Sequence, residues 1–501
     1  MVHLITEFSK YLMIFLFCVY TFYSYAVLKH QEESPRAKKI YRHQLVCIFL
    51  LHLDAYAVIF ANTGQVKMLV FYGAQVGFIL LLLLIYRIIY RRSARLIVNH
   101  MCMLMVIGFI ILSRLNFSVA LRQFEIAAAA AVLSVFVPVL IRKMKALRRF
   151  TWFYALLGIV ALGAVWAFGS TSNGAKLSFE VGGIAVQPSE FIKIVFVFFV
   201  ACMLYHVKDF KQILITTVVA AIHVIILVLS TDLGAALIFF VTYLVMLYVA
   251  TRNPWYSLGG LGLGVIAAFA ATKLFAHVRV RVAAWKDPFA IIHDGGWQVA
   301  QSLFAIGTGG WAGMGLYQGL PDSIPVPESD FVFAAISEEM GGVFALCIIL
   351  VCFSCFLMTL NVAMQIKDQF YKLIALGLGT VYGFQVFLTV GGVIKCIPST
   401  GVTLPFVSYG GSSILCTMIT FAIIQGLYIL RQDEGASDEK GKSIQKSKKK
   451  TTYREDIREK NLPKTDDRDH RSGSRSRPEA QPEKKRGRRS RFDEDDIDEI
   501  W

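Results

Sequence analysis

Long apolar segments separated by short polar ones are the main pattern of this chain. Thirteen such segments lie between residues 10 and 430. The predicted spans are residues 10–28, 44–61, 66–86, 97–113, 125–141, 151–168, 189–206, 212–229, 233–250, 257–276, 331–358, 373–393 and 405–430. Each can cross ~30 Å of hydrocarbon as a helix that rises ~1.5 Å per residue. The pattern therefore predicts an all-α polytopic membrane protein of about thirteen helices.

The placement of lysine and arginine supports this order of crossings. Cations are concentrated in the loops near residues 29–42, 87–95 and 142–149, whereas the loops at 61–65 and 169–187 contain few. Cytoplasmic loops carry the excess of Lys and Arg in membrane proteins. We therefore expect a multi-pass protein of the cytoplasmic membrane with a cytoplasmic C-terminus. The odd number of helices then places the N-terminus outside.

Composition agrees with a lipid environment. Hydrophobic residues make up 56% of the 501 residues and charged residues only 17%, and the mean hydropathy is +0.56. These values lie outside the usual globular range. The nine cysteines fall almost entirely within the apolar spans, so they indicate no disulfide framework.

The last part of the chain, residues 431–501, loses the apolar pattern. It contains 21 lysines and arginines and 18 acidic residues, and it has too few apolar residues to form a core. We predict a disordered, charged cytoplasmic tail. Because its net charge is small, anionic lipid headgroups or a cytoplasmic partner suit its basic blocks better than nucleic acid does.

One predicted outer loop is exceptionally long, from about residue 277 to residue 329. It begins with a charged segment that includes Arg281 and has a glycine-rich centre at 295–315. Residues 298–306, which include Gln301, have the pattern of a short amphipathic or re-entrant helix. Long loops in compact proteins are frequently functional, so this loop is a candidate site.

Ser329 and Asp330 close this loop at the entrance of the next helix, and two interpretations are open. They suit an N-cap, which satisfies free amides of the first turn. Alternatively, Asp330 is a carboxylate held in a cavity at the membrane surface, where it can act as a general base. Glu338 and Glu339 lie further along the same span, and at least one of them must face protein or water.

Three further polar clusters are predicted on the outer side. Glu190 and Lys193 lie three residues apart behind a proline, on one helix face, which suits either a structural ion pair or a site. Asp232 precedes another helix, where capping is the simpler explanation. Residues 397–413 mix helix breakers with small polar residues, a combination tolerated at membrane depth only against protein or water. All the clusters fall on one side, which favours one shared site.

Residues 97–430 resemble the SEDS family, which includes FtsW, RodA and SpoVE. The resemblance rests on QPSEFIK at 187–193, DLG at 232–234, QSLFAIGTGG at 301–310 with SDFVFAAISEEMG at 329–341, and LPFVSYGGSS at 404–413. These motifs occur in the family's order and on the expected face. The resemblance implies a ten-helix core at 97–430, three additional N-terminal helices at 1–96, and the tail at 431–501.

The resemblance also implies a function. Members of this family are peptidoglycan glycosyltransferases that polymerise lipid II outside the membrane together with a class B penicillin-binding protein, alongside other division or elongation proteins. The family's essential aspartate corresponds to Asp330, and Arg281 and Lys193 are expected to stabilise the substrate diphosphate. A divalent cation, Mg²⁺ or Mn²⁺, is a candidate to share that task. The residues expected to position the sugar or the cation are Glu190, Asp232, Gln301 and Ser329.

Two other function classes are open from the sequence. A lipid-linked substrate transporter, such as a lipid II flippase, also contains broken helices and buried charges. Such a transporter should have an internal repeat, and none is visible between the halves of residues 97–430. A non-catalytic scaffold that recruits partners through the tail is the third class. The motifs do not distinguish the division, elongation and sporulation branches.

Overall fold

The computed structural model describes residues 2–143, 145–172, 175–181 and 184–434, and these residues are predominantly helical. Fifteen α-helices lie within that part of the chain. They are α1 Val2–Ala26, α2 Pro35–Thr63, α3 Val66–Ile89, α4 Arg95–Leu115, α5 Phe117–Lys143, α6 Thr151–Phe168, α7 Pro188–Leu204, α8 Phe210–Leu229, α9 Leu233–Thr251, α10 Pro254–Leu274, α11 Ala276–Lys286, α12 Trp297–Gly309, α13 Val332–Gln365, α14 Gln369–Val393 and α15 Gly411–Glu434. The predicted all-α membrane architecture is confirmed.

Among the described residues, twelve helices are long and apolar enough to cross a membrane. The remaining predicted span is α7, which has 17 residues. The two other helices, α11 and α12, belong to the long loop, and α12 confirms the short helix predicted at 298–306. The first four residues of the predicted tail, 431–434, belong to α15 instead, and the rest of the tail lies outside the described residues.

Several span boundaries differ from the sequence prediction, since α2 begins at Pro35 rather than at residue 44 and α5 at Phe117 rather than at residue 125. Two further differences, in the first and last helices, are explained by local contacts. The first helix begins at Val2 rather than at residue 10, because the polar residues Glu7 and Lys10 pair with each other at 2.8 Å within the helix. The last helix begins at Gly411 rather than at residue 405, since Pro405 and its neighbours form a turn. In both places, polar contacts rather than hydropathy set the boundary.

A small antiparallel sheet occupies the connection between α6 and α7. Its strands are β1 Ser170–Ser172, β2 Ala175–Val181 and β3 Ile184–Val186, paired in the order β1-β2-β3. This connection lies at the same end of the helix bundle as the α8–α9, α10–α13 and α14–α15 connections, because alternate connections share an end. We call it the loop end.

The first three helices pack closely against the rest of the bundle. Residues 96–113 of α4 are all buried. From α1, the Phe17 ring lies 4.5 Å from the ring of Phe344 on α13. The Tyr20 hydroxyl contacts Nδ1 of His100 on α4 at 2.8 Å, and the other ring nitrogen of His100 contacts Ser354 on α13 at 3.0 Å. Paired polar groups of this kind hold helices together in an apolar environment.

Helix α13 is broken at Gly341, where φ is +89°. Residues 310–315, which we call the glycine loop, fill the break. The Met314 amide of this loop donates to the Glu338 carbonyl at 2.9 Å. The Gly342 amide, just after the break, donates to the Gly310 carbonyl at 2.8 Å. These contacts replace hydrogen bonds that the helix loses at the break, as a buried backbone requires. The first segment of α13 is therefore held by the long loop.

Replacing Gly341 with alanine is expected to destabilise the fold. A Cβ atom there would lie 2.4 Å from the Gly313 nitrogen, at a φ that side chains rarely adopt. We expect a loss of about 2 kcal/mol or more in the free energy of unfolding, visible as earlier thermal unfolding in detergent. Helical Gly307 has no atom within 4 Å of its added Cβ, so Gly307→Ala is the control. Equal melting of the two variants would contradict this packing.

Candidate active site

Asp330 lies at the loop end, two residues before α13 begins. The N-cap residue of α13 is Phe331 and no side chain caps the helix, so the capping interpretation does not apply to Asp330. Instead, the Ser329 hydroxyl donates to Asp330 Oδ1 at 3.0 Å. The Ser408 hydroxyl donates to the Ser329 carbonyl at 2.7 Å. The motif at 404–413, which contains Ser408, thus holds the segment that carries Asp330.

Arg281 and Asp330 border the same space. Arg281, from α11, donates to the Ser399 carbonyl at 3.3 Å. A Cβ atom built on Gly401 would lie 3.4 Å from Asp330 Oδ2 and 3.8 Å from Arg281 Nη2. Gly401 has a φ of +74° and no side chain, which leaves this space open. A half-buried carboxylate and a half-buried guanidinium therefore face one small region without a direct ion pair.

Burial shifts the protonation equilibria of both groups. It raises the pKa of Asp330, and this effect is opposed by the Ser329 hydrogen bond and by the positive charge of Arg281. Burial also lowers the pKa of Arg281, and the nearby charges of Asp330 and Asp232 oppose that change. A carboxylate with a raised pKa is a better proton acceptor than an exposed one, which suits a general base.

Asp232 connects the motif at 232–234 to the motif at 187–193 through hydrogen bonds. Its Oδ1 accepts from the Ala235 amide at 3.1 Å, which confirms the predicted N-cap of α9. Its Oδ2 accepts from the Ser189 hydroxyl at 2.9 Å and from the Gln187 amide group at 3.4 Å. Burial raises the pKa of Asp232. Asp232 therefore has a second task besides capping, which is to fix the start of α7 beside the site.

Glu190 and Lys193 form the predicted ion pair. Lys193 Nζ lies 2.7 Å from Glu190 Oε1 and donates to Gln385 Oε1 on α14 at 2.8 Å. The Lys193 side chain is only 3% exposed. A cavity of about 20 Å³ adjoins the pair, with room for roughly one water molecule. The structure therefore places Lys193 inside the protein rather than beside Arg281.

Glu190→Gln is expected to destabilise the protein, because it leaves the Lys193 charge buried without its partner. The expected loss is about 3 kcal/mol in the free energy of unfolding, and Glu190→Gln with Lys193→Met should recover part of it. Denaturation of the purified protein in detergent measures both. Exposed Glu125 on α5 supplies the control, Glu125→Gln, which is expected to change stability by less than about 0.5 kcal/mol. Equal stability of all the variants would show that the pair is not needed.

Gln301 is a further predicted site residue that the structure does not bring beside Asp330 and Arg281. It is half-buried on α12, and within the described residues none of its hydrogen bonds reaches Asp330 or Asp232. Its neighbour Ser302 donates to the Val393 carbonyl at 2.9 Å, which attaches α12 to α14. A role for Gln301 in substrate binding stays a prediction.

Both Glu338 and Glu339 are buried in protein, as expected for carboxylates in this span. Arg114, at the end of α4, contacts Glu339 Oε1 at 2.9 Å. The Leu320 amide donates to Glu338 Oε1 at 3.1 Å. The two carboxylates thus attach the long loop to α13, close to the glycine loop. Their observed contacts are structural.

Several residues of the site were not identified from the sequence. Ser399 contributes only a backbone carbonyl and Gly401 contributes empty space, so neither has a side-chain signal. Ser408 is one of several small polar residues in its motif. Gln385 did carry a signal, because it is an amide within the apolar span 373–393 and an amide there needs a partner.

The fold and site define a polytopic helical membrane protein with a charged site at one end of the bundle. The family described as cell cycle protein, FtsW/RodA/SpoVE, matches residues 94–432. The chain is 37% identical over 297 residues to the peptidoglycan glycosyltransferase RodA of Mycobacterium tuberculosis, over 56% of this chain and 63% of that protein. It is 28% identical over 323 residues to the probable peptidoglycan glycosyltransferase FtsW of Bacillus subtilis, over 61% of this chain and 80% of that protein.

A solved structure supports the same fold. It is described as "Structural coordination of polymerization and crosslinking by a peptidoglycan synthase complex", and one chain in it aligns with a TM-score of 0.58 and 23% identity. The alignment covers 68% of this chain and 98% of that one. This chain belongs to the FtsW/RodA/SpoVE family, which confirms the resemblance. The match spans less than two thirds of the length of the mycobacterial RodA.

Proposed function

We propose that this chain is a peptidoglycan glycosyltransferase that polymerises lipid II on the outer face of the cytoplasmic membrane. The observation that carries the proposal is the open space where Gly401 lacks a side chain, because both Asp330 and Arg281 border that space. A proton acceptor and a fixed cation on one region suit the transfer of a sugar from a diphosphate. The names of the RodA and FtsW relatives support the same reaction.

In the proposed reaction, the 4-hydroxyl of one lipid II attacks the anomeric carbon of the muramyl diphosphate of another chain. Asp330 accepts the hydroxyl proton as the new carbon–oxygen bond forms. The bond from the anomeric carbon to the diphosphate oxygen breaks, so undecaprenyl diphosphate leaves and the α linkage becomes β. Diphosphate is a good leaving group, so a second carboxylic acid of the kind used by glycosidases is not required.

Arg281 is proposed to stabilise the charge that develops on the leaving diphosphate. The Ser399 carbonyl orients its guanidinium, so little reorganisation is needed during the reaction. Asp232 and Ser329 act as positioning residues in this proposal, because each binds another part of the site. Of the buried pair, only the positive charge of Lys193 favours ionised Asp232, and the negative charge of Glu190 opposes it.

We propose a divalent cation only as an ion that binds together with the substrate diphosphate. Among the described residues, no group of three or more His, Cys, Asp or Glu side chains is arranged to hold a metal ion. Arg281 also supplies a positive charge that interacts with both Asp330 and Asp232. The residues therefore do not form a metal site by themselves, and no step of the proposed reaction passes through a metal.

The site is proposed to face outward, with the N-terminus outside and the C-terminus in the cytoplasm, because the cation-rich connections lie at the other end. A class B penicillin-binding protein is the proposed partner. The similar chain from a peptidoglycan synthase complex that coordinates polymerisation with crosslinking supports this assignment.

Polymerisation in detergent separates this proposal from a transporter. Detergent micelles have no two compartments, so a flippase has no reaction to catalyse there. Purified full-length protein with labelled lipid II and the penicillin-binding partner should give a ladder of glycan strands. Full binding of lipid II with no strand formation, under conditions in which a known polymerase is active, would overturn the proposal.

A further inference from the structure

The N-terminal helix α1 contacts the glycine loop at the loop end of the bundle. Lys10 Nζ donates to the Gly313 carbonyl at 3.4 Å. A Cβ atom on Gly315 would lie 3.2 Å from the methyl group of Thr6. We propose that Lys10 is a positioning residue, which holds the glycine loop in the break of α13 and thereby sets the position of Asp330.

The first step of this argument is that Lys10 is directed at the loop. Its side chain is 11% exposed, and its other partner is Glu7 at 2.8 Å. An ion pair between residues three apart on one helix forms without any neighbour, so Glu7 alone does not explain the approach to Gly313. A nearly buried ammonium keeps all the acceptors it can reach, because an unmet hydrogen bond there is costly.

The second step is that the glycine loop packs so tightly against α13 that neither can move without the other. A Cβ atom on Gly313 would lie 2.4 Å from the Glu339 carbonyl oxygen and 2.6 Å from the Gly341 nitrogen. Displacement of the loop therefore moves, or releases, the segment from Val332 to the break. Asp330 lies two residues before that segment, so its carboxylate moves with it.

The third step is that α1 itself is fixed. The Ser9 hydroxyl donates to Asp54 on α2 at 2.7 Å. Further along α1, the Cys18 sulfur lies 3.7 Å from the Cys347 sulfur on α13. With the Tyr20 contact to His100 described above, α1 is attached along most of its length, so its loop end is a firm support for Lys10.

The family match begins at residue 94, so this support comes from a part of the chain that the family core does not include. The inference has two halves. Its functional half, that Lys10 sets the position of Asp330, rests on the proposed glycosyltransferase activity. Its structural half, that Lys10 holds the glycine loop, is tested without any activity. The two halves need different measurements.

The structural half is tested by hydrogen exchange in the purified full chain. In Lys10→Met we expect the Met314 and Gly342 amides to exchange about tenfold faster than in the wild type, because the loop loses a charge-assisted hydrogen bond. Lys10→Arg should keep slow exchange. Lys38→Met, which removes an exposed lysine of α2, is the matched control. Unchanged exchange in Lys10→Met would overturn the inference, whatever the activity.

The functional half is tested by kinetics of lipid II polymerisation by the same variants. We expect Lys10→Met to lower kcat about five- to tenfold with KM unchanged, because the base is misplaced while the substrate still binds. Lys10→Arg should restore kcat. Faster exchange with normal kcat would overturn the positioning role. If the wild type does not polymerise lipid II, the proposed function fails, and the exchange result still decides whether Lys10 holds the loop.

Docking of α1 is checked by oxidative cross-linking of Cys18 to Cys347, read by mass spectrometry of the alkylated protein, with Cys347→Ser as the negative control. Equal cross-linking in the wild type and Lys10→Met shows that α1 stays in place and that the loop alone has been released. A large loss of cross-linking in Lys10→Met would overturn the proposal, because Lys10 would then act by docking the whole helix.

Discussion

Asp330→Asn is expected to reduce the rate of lipid II polymerisation by about 10³-fold, because the amide does not accept the proton of the attacking hydroxyl. The side chain keeps its size, and the Ser329 hydroxyl still finds an oxygen acceptor, so the fold and substrate binding should persist. The initial rate of strand formation by the purified full chain with its partner measures the effect. Binding of labelled lipid II, measured alongside, should change by less than about threefold.

The matched control for Asp330→Asn is Glu328→Gln, which alters a carboxylate two residues away in the same segment. Glu328 contributes its backbone carbonyl to the Tyr409 amide at 2.7 Å, a contact that the substitution preserves. We expect near-normal polymerisation from this variant. Near-normal strand length from Asp330→Asn itself would contradict the assignment of Asp330 as the general base.

Arg281→Met is the substitution with the second-largest expected effect. The change removes a fixed positive charge beside the leaving diphosphate, and kcat/KM is expected to fall by about 10²-fold. Arg281→Lys should recover only part of the activity, because an ammonium lacks the planar fork of the guanidinium. Arg279 lies two residues earlier on the same helix and is exposed, so Arg279→Met is the control.

The pH profile gives Arg281→Met an independent readout. The charge of Arg281 lowers the pKa of Asp330, against the rise caused by burial. Its removal should therefore raise the pKa of Asp330 further. Because the base must be ionised, polymerisation falls as the pH falls through that pKa, and this acid limb should move to higher pH in the variant. An acid limb at the wild-type position, or equal loss of activity in Arg279→Met, would contradict the role of Arg281.

The parts of the molecule that depend on local pattern were predictable from the sequence. Apolar segments of the right length predicted the helices. The spacing of Glu190 and Lys193 predicted their ion pair, because residues three apart on a helix are neighbours. The position of Asp232 before a helix predicted its capping role. Each of these features is decided within a few residues of the chain.

The parts that depend on backbone contacts between distant segments were not predictable. The break at Gly341 is stable only because the glycine loop supplies its hydrogen bonds, and no local pattern indicates that pairing. The contact between Lys10 and the Gly313 carbonyl joins segments that are far apart in sequence. Lys193 was expected at the diphosphate, but Gln385 on α14 gives it a partner inside the protein. Such contacts follow from tertiary packing.

The most direct test of the proposed function is reconstitution of the full chain on labelled lipid II, with and without a class B penicillin-binding protein, beside Asp330→Ala. The wild type with its partner should produce long glycan strands that a muramidase digests, and the Asp330→Ala complex should produce none. Strands of equal length from both complexes, or none from the wild type with its cognate partner, would contradict the proposal that Asp330 is the base of a lipid II polymerase.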